Sequence, residues 1–256
     1  MRNVLSTLLL VVISCYTQSL DAQIVNIEDK RTLEDTTGWF WRIDFGGNLT
    51  ENTRSVVTLS GALRLDVKQQ KGEWLLLSNY NLVRADQDQV LNDGFGHFRY
   101  GRRLNSSWTW ESFTQLQYNR RLLIDLRALA GTGPRFILRD KDHFDLATGL
   151  LYMYEYNEIG EEMPITRRDH RLSLYLTLHL KLSENARLAS TSYYQPLIDR
   201  FGESRLSSIN SLTVALGKHF SFSTNLAITY DGLLAQLAEG VPATSYQWRN
   251  MLRINF

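Results

Sequence analysis

The sequence predicts an all-β protein, a closed antiparallel up-and-down transmembrane β-barrel of about twelve strands. From Gly38 onward, apolar and polar residues alternate with a period of two, which is the pattern of a strand with one apolar face. After the N-terminal segment no run of about 18 apolar residues occurs, so no helix is expected to cross a membrane. Every second link between the expected strands is short, as in outer-membrane barrels.

Composition excludes several classes of protein. The 256 residues contain 28 Lys and Arg against 27 Asp and Glu, and this net charge of +1 argues against nucleic acid as a partner. A single Cys excludes a disulfide scaffold and a metal site built from several cysteines. The five His residues lack metal-ligand spacing and no Gly-rich phosphate loop is visible, so we expect neither a metal nor a cofactor.

The N-terminus is typical of a secretory signal peptide over residues 1–22, with a short apolar core and cleavage after Ala22. An alternative is cleavage at Cys15, where the preceding residues resemble a lipobox. The polar residues 23–37 are predicted to form a periplasmic leader, and residues 38–256 the barrel. The predicted location is therefore the outer membrane of a bacterial cell.

Individual strands follow from the alternation. In the clearest case, six leucines from Leu172 to Leu182 share one face, while Arg171 and Thr177 lie on the other. A helix would need apolar residues spaced by three and four. The same reasoning predicts strands near residues 38–50, 53–68, 72–84, 94–103, 107–120, 122–138, 143–156, 168–182, 186–195, 204–217, 220–232 and 244–256.

The links differ in length on the two sides. The even-numbered links are predicted to be tight periplasmic turns, and the long odd-numbered links to be outer loops at residues 85–93, 157–167, 195–204 and 233–243. Acidic loop residues are candidates to bind divalent cations or to bridge lipopolysaccharide: Asp86, Asp88, Asp93, Glu158, Glu161 and Glu162. A solvated loop is the alternative, because none has the spacing of a calcium loop.

Aromatic residues are predicted to form two girdles at the membrane interfaces. At the turn ends lie Trp39, Trp41, Trp74, Trp108, Trp110 and Phe256, and at the loop ends Tyr152, Tyr154 and Trp248. The alternative is that these are core aromatics of a soluble β-sandwich. The last strand, which alternates up to Phe256, resembles the C-terminal signal that the outer-membrane assembly machinery reads.

Four motifs occur in a fixed order: Phe113–Asn119, Arg127–Phe136, Leu151–Glu155 and Ile228–Asp231. Their order resembles the salt-induced outer-membrane protein family, domain-of-unknown-function family 481, over most of the chain from Trp39 to Phe256. The resemblance implies an outer-membrane barrel without an established activity. Pro134 departs from the pattern, because proline breaks a ladder bond inside a strand, and it predicts a bulge at Gly133-Pro134.

Many of the residues that are predicted to face inward are charged, and two interpretations of these charges stay open. The residues are Arg42, Asp44, Arg54, Arg64, Asp66, Glu111, Arg127, Arg135 and Glu155. They form either a selectivity surface for a small solute or ion, or ion pairs that fill and brace a narrow interior. Bracing is the favoured interpretation, since a barrel of this size lies between filled small barrels and water-filled porins.

The expected function is that of an outer-membrane barrel, either a narrow channel or a structural or stress-related envelope protein, with membrane lipid and lipopolysaccharide as partners. One alternative is an outer-membrane hydrolase of the phospholipase kind, because His219 and Ser221 lie two residues apart. No catalytic residues are assigned, since both face the lumen and no Ser-His-acid set is visible. A further alternative is a closed barrel that presents its loops to a partner.

Overall fold

Twelve β-strands follow one another along the chain and pair in sequence order into one antiparallel sheet. The computed structural model describes residues 37–86, 88–141, 143–160, 164–217 and 219–254. The strands are β1 (Gly38–Glu51), β2 (Ser55–Lys68), β3 (Gly72–Ala85), β4 (Asp88–Arg103), β5 (Trp108–Asn119), β6 (Ile124–Lys141), β7 (Phe144–Ile159), β8 (Ile165–Ser183), β9 (Ala186–Pro196), β10 (Ser204–Ala215), β11 (Phe220–Asp231) and β12 (Thr244–Ile254). The all-β class, the strand number and the up-and-down order are confirmed.

The two faces of the sheet have opposite character. On β8, Leu174 and Leu176 are exposed, whereas Arg171 and Thr177, on the alternate face, are buried. The same inversion recurs around the sheet, with exposed Trp, Tyr and Leu on the outer face and buried Arg, Asp, Glu, Gln and Thr on the inner one. A water-soluble sheet buries its apolar face, so this distribution is the reverse of what water alone would select.

The sheet is strongly curled toward its polar face. Adjacent strands lie about 4.8 Å apart, so strands three positions apart in a flat sheet would be separated by about 14 Å. Yet Glu155 on β7 hydrogen-bonds Arg205 on β10 at 2.9 Å, and Tyr175 on β8 hydrogen-bonds Glu111 on β5 at 2.8 Å. The polar side chains therefore meet across the interior of a curved sheet.

The predicted outer loops are shorter or more ordered than expected, and two of them differ most. The loop predicted at residues 85–93 is wrong, because β3 ends at Ala85 and β4 begins at Asp88, so only two residues separate the strands. The link after β11 contains a short helix, α1 (Gly232–Leu237), that the sequence analysis did not predict. A single 3₁₀ turn, Arg120–Leu122, joins β5 to β6.

The bulge predicted at Gly133-Pro134 is also wrong. Both residues pair in an unbroken register with β5. Toward β7 the two positions are skipped, while the pairs Thr132↔Tyr152 and Arg135↔Gly149 keep the same register on either side. The strand accommodates the missing proline N–H without inserting a residue, because Gly133 lets the backbone of Leu150 approach closely.

Residues 1–36 lie outside the described residues, so the predicted signal peptide, the lipobox alternative and nearly all of the predicted leader stay predictions. Phe256, the predicted end of the targeting strand, also lies outside them, as do Glu161 and Glu162. None of the helices in the described part of the chain is long and apolar enough to cross a membrane.

Candidate functional site

The most distinctive feature of the interior is one carboxylate held by three guanidinium groups. Glu155, on β7, is fully buried. Its Oε1 lies 3.3 Å from Nε of Arg127 and 2.9 Å from Nη2 of Arg205, and its Oε2 lies 2.7 Å from Nε of Arg171. These arginines come from β6, β10 and β8, so a single side chain ties four strands together.

Two further side chains complete the Glu155 network, which we define as Arg127, Glu155, Asn157, Arg171, Arg205 and Asp231. Asp231 Oδ2 accepts a hydrogen bond from Nε of Arg205 at 2.8 Å. Asn157 donates to Glu155 Oε1 at 2.5 Å and accepts from Nε of Arg127 at 2.7 Å. Arg171 also donates through Nη1 to the backbone oxygen of Gln195 at 2.9 Å.

The network is buried to an extent that makes its pairing obligatory. Its charged side chains are between 0% and 3% exposed. Removing ions from water costs several kcal/mol each, and the cost is offset only by close pairing and further hydrogen bonds. Three guanidinium groups around one carboxylate, with a second carboxylate on Arg205, supply that pairing. The arrangement braces strands and fills the space between them.

A hydrophobic cluster adjoins the network on the loop side. We call it the loop-end plug, and it consists of Leu122, Leu123, Ile124, Ile159, Leu234, Leu237, Ala238 and Val241. Helix α1 supplies part of it, and the N-cap of that helix is Asp231, whose Oδ1 accepts from the backbone N–H of Leu234 at 3.0 Å. The same carboxylate therefore belongs to the ionic network and holds the start of the plug helix.

A second polar cluster lies closer to the turn end. Glu111 Oε2 lies 3.3 Å from Nη1 of Arg99 and accepts from the hydroxyl of Tyr175 at 2.8 Å. Arg135 donates through Nη1 to the same hydroxyl at 3.3 Å. The ring of Tyr175 lies directly over Gly149, where a side chain would collide with it. The middle of the interior is thus occupied by side chains as well.

The structure distributes the predicted lumen residues unevenly. Arg127 and Glu155 meet in the network, and Glu111 and Arg135 meet through Tyr175. Arg64 and Asp66 pair at 2.6 Å on β2.

The remaining predicted charges are exposed. Arg42 and Asp44 pair at 2.7 Å on β1 with 74% and 54% of their side chains exposed. Arg54 lies in the turn after β1, with Nε 4.0 Å from Asp86, and not with the other charges. Which of these residues act in a function stays a prediction.

The predicted girdle aromatics lie on the outer face wherever the structure describes them. Near the turn ends of β1, β3 and β5 the exposed residues are Trp39, Trp41, Trp74, Trp108 and Trp110. Tyr152 and Trp248 are exposed in the loop-side halves of β7 and β12, and Tyr154 is half-buried. Their role at a membrane interface stays a prediction.

The predicted site residues did not include Arg99, Arg171, Tyr175, Arg205 or Asp231. Each occupies an inward-facing position of its strand, and the alternation along the strand was the signal that could have identified it. The partners of these residues could not be predicted from the sequence, because contacts across the interior depend on how strongly the sheet curls.

The features that would suggest other chemistry are sparse. Among the described residues, no group of three or more His, Cys, Asp or Glu side chains is placed to hold a metal ion. His219 lies in the turn before β11, and Ser221 lies at the start of that strand, opposite Ala215. No comparison or contact tests the hydrolase alternative, which stays a prediction.

Comparison with known proteins finds one family model that matches the chain and two solved structures that resemble it distantly. A family model described as "Protein of unknown function, DUF481" matches residues 43–238. The NanC porin is 10% identical with a TM-score of 0.46, over 84% of this chain and 99% of that chain. The β-domain of the Bordetella autotransporter Brka is 10% identical with a TM-score of 0.35, over 85% and 98%. Both likenesses are too distant to carry an argument, and no curated protein matches.

Proposed function

The chain belongs to the DUF481 family of proteins of unknown function, whose description names no activity, and we propose its function from the geometry of its interior. The proposal is a closed outer-membrane β-barrel whose lumen is blocked, acting as a structural envelope protein that presents its loop end outward. The observation that carries it is the Glu155 network, whose charged side chains are buried and paired across strands, together with the loop-end plug that shares Asp231 with it.

The outer face supports a lipid environment. Exposed Trp, Tyr, Phe and Leu side chains on many strands would be costly in water, at about 25 cal/mol per Å² of apolar surface. Hydrocarbon surrounds such side chains without that penalty, and aromatic rings are favoured at the headgroup level. The short even-numbered links, such as the two residues between β8 and β9, are typical of the periplasmic side.

Closure of the barrel would pair the two edge strands, β1 and β12. Each presents a row of backbone groups along one edge, and backbone groups in hydrocarbon must find partners within the protein. Their outer faces are similar, with Trp39, Trp41 and Phe45 on β1 and Tyr246 and Trp248 on β12 strongly exposed. An even strand number also returns the C-terminus to the side on which β1 began.

Single-channel conductance in planar bilayers tests the blocked lumen. The wild-type protein should give no discrete steps. The triple variant Arg127→Ala, Glu155→Ala, Arg205→Ala removes three bulky network members and leaves Arg171 and Asp231 as one positive and one negative group. It should give discrete steps if it folds, which heat-modifiable migration in gels checks. The matched control, Arg42→Ala with Asp44→Ala, removes an exposed pair and should stay silent.

Two results would favour the other candidates. Frequent steps from the wild-type protein would make it a narrow channel, with the buried arginines as its selectivity surface. Phospholipid cleavage by the purified protein that is lost in Ser221→Ala would make it a hydrolase. Silence from the triple variant would show that the network does not block the lumen.

A further inference from the structure

Three basic residues lie at the turn end of β3 and β4, near the aromatic residues of β3, β4 and β5. Lys71 lies in the turn between β2 and β3, and Arg102 and Arg103 end β4. All three are exposed. The backbone N–H of Arg103 donates to the backbone oxygen of Lys71 at 2.9 Å, which holds the two turns side by side.

Aromatic rings lie around Arg102 on the outer face. Arg102 pairs in register with Gly72 on one side and with Trp110 on the other. Two residues away along β4, Tyr100 packs against Trp74 with ring centroids 4.1 Å apart. Because alternate residues share a face, Arg102 shares the outer face with Tyr100, Trp74 and Trp110, whereas Arg103 faces the other way. We define the basic–aromatic patch as Trp74, Tyr100, Arg102 and Trp110, with Lys71 in the adjoining turn.

The charge of the patch is not compensated locally. Within the part of the chain that the structure describes, no carboxylate forms an ion pair with Lys71, Arg102 or Arg103. The acidic residue next to the patch, Glu73, lies opposite Lys68 in the register of β2 with β3. Elsewhere on this molecule exposed basic residues often have an acidic neighbour, such as Arg120 with Asp125 at 2.8 Å. Two positive charges without an ion pair, on Lys71 and Arg102, beside outward-facing aromatics favour an anionic partner.

We propose that the basic–aromatic patch binds the phosphate of an anionic phospholipid headgroup in the leaflet at the turn end. Guanidinium groups bind phosphate oxygens in a two-pronged geometry, and lysine adds a point charge. Indole and phenol rings place their apolar bodies among the upper acyl chains at the same depth. The proposal rests on the membrane location proposed above and adds a lipid class and a binding site to it.

Fluorescence quenching by brominated lipids tests the proposal, because Trp74 and Trp110 lie in the patch. The mature protein is folded into phosphatidylcholine vesicles that contain either brominated phosphatidylglycerol or additional brominated phosphatidylcholine. Quenching should indicate a preference of at least about fivefold for phosphatidylglycerol at low salt. The preference should shrink in high salt, since ionic strength screens exposed charges.

Two variants separate the patch from the general charge of this end of the molecule. The double variant Lys71→Gln, Arg102→Gln should bring the preference close to one. The control Arg139→Gln, Lys141→Gln removes two basic residues from the same end and should keep the preference. If the first double variant does not fold, the single variant Arg102→Gln should still lower the preference to a value between that of the wild-type protein and one.

The outcomes are distinguishable. No quenching by either brominated lipid would mean that the tryptophans are not in a bilayer, which overturns the proposed membrane location. Equal quenching by the two lipids in the wild-type protein overturns the headgroup proposal alone. An equal loss in both double variants would show that overall charge, not the patch, sets the preference.

Discussion

The interior contains two groups of Arg–carboxylate pairs that differ in what they join. In the Glu155 network, Arg171 and Glu155 are 1% and 0% exposed and come from different strands. On β1, Arg42 and Asp44 are 74% and 54% exposed and lie two residues apart on one strand. The first group cross-links five strands, whereas the second connects two residues that are already neighbours on the same strand. An inward-facing charge therefore does not by itself stabilise the sheet. It does so when it is buried and its partner lies on another strand.

The largest effect is expected from Glu155→Gln, which keeps the shape of the side chain and removes its charge. Three buried guanidinium groups then lose their shared counter-charge, which should lower the free energy of unfolding by about 3–5 kcal/mol. Urea unfolding of the protein folded into lipid vesicles, followed by tryptophan fluorescence, measures the change.

Asp44→Asn is the matched control on β1 and should leave the unfolding midpoint unchanged, because an exposed pair within one strand contributes little. Equal effects of the two substitutions would contradict the distinction between the two groups of charges.

The assignment of faces underlies this comparison, and Leu176→Arg tests it. Leu176 is exposed on the outer face of β8, and arginine facing hydrocarbon near the middle of the bilayer costs about 2–4 kcal/mol. Insertion into vesicles should be impaired, as seen by the loss of heat-modifiable migration.

The control for this variant needs an inward position with room. Sequence parity suggests Thr177→Arg, but Thr177 is 2% exposed and packs beside Thr191, so arginine does not fit there. Thr213, exposed on the inner face of β10, is the better control, and Thr213→Arg should insert normally. Damage from Thr213→Arg as large as that from Leu176→Arg would refute the assignment of faces.

A smaller effect is expected from Gly149→Ala, which tests whether the interior between β5 and β8 is filled. A methyl group there collides with the ring of Tyr175, which must shift away from Glu111. Overpacking of this kind costs about 1–3 kcal/mol in the free energy of unfolding. Gly61→Ala, where no atom lies within 4 Å of the added group, should show no loss in the same urea titration.

The strands were predictable because most of their length alternates between apolar and polar residues, and all twelve appear. The error at the start of β4 has a physical cause. Leu91, Asn92 and Asp93 do not alternate clearly, yet they pair with β3, and the register shifts at Val90. Asp93 accepts a hydrogen bond from Asn81 at 3.1 Å. Where a strand lacks a regular alternation of apolar and polar residues, the sequence pattern does not predict the strand.

The site was predictable only in part. Arg127 and Glu155 were selected because both lie inward on neighbouring strands. The contact of Glu155 with Arg205 joins β7 to β10, which depends on how tightly the sheet curls and on long side chains whose conformers no local pattern specifies. Helix α1 was missed because six residues are too few to show a helical period.

The carboxylate of Asp231 has one oxygen on Arg205 and the other on the N–H of Leu234. Unwinding of α1 therefore frees one oxygen of the carboxylate that pairs with Arg205, and a displacement of Arg205 removes a partner from the helix cap. The loop-end plug and the buried charges beside it are therefore coupled through a single side chain, and loosening either one lowers the stability of the other.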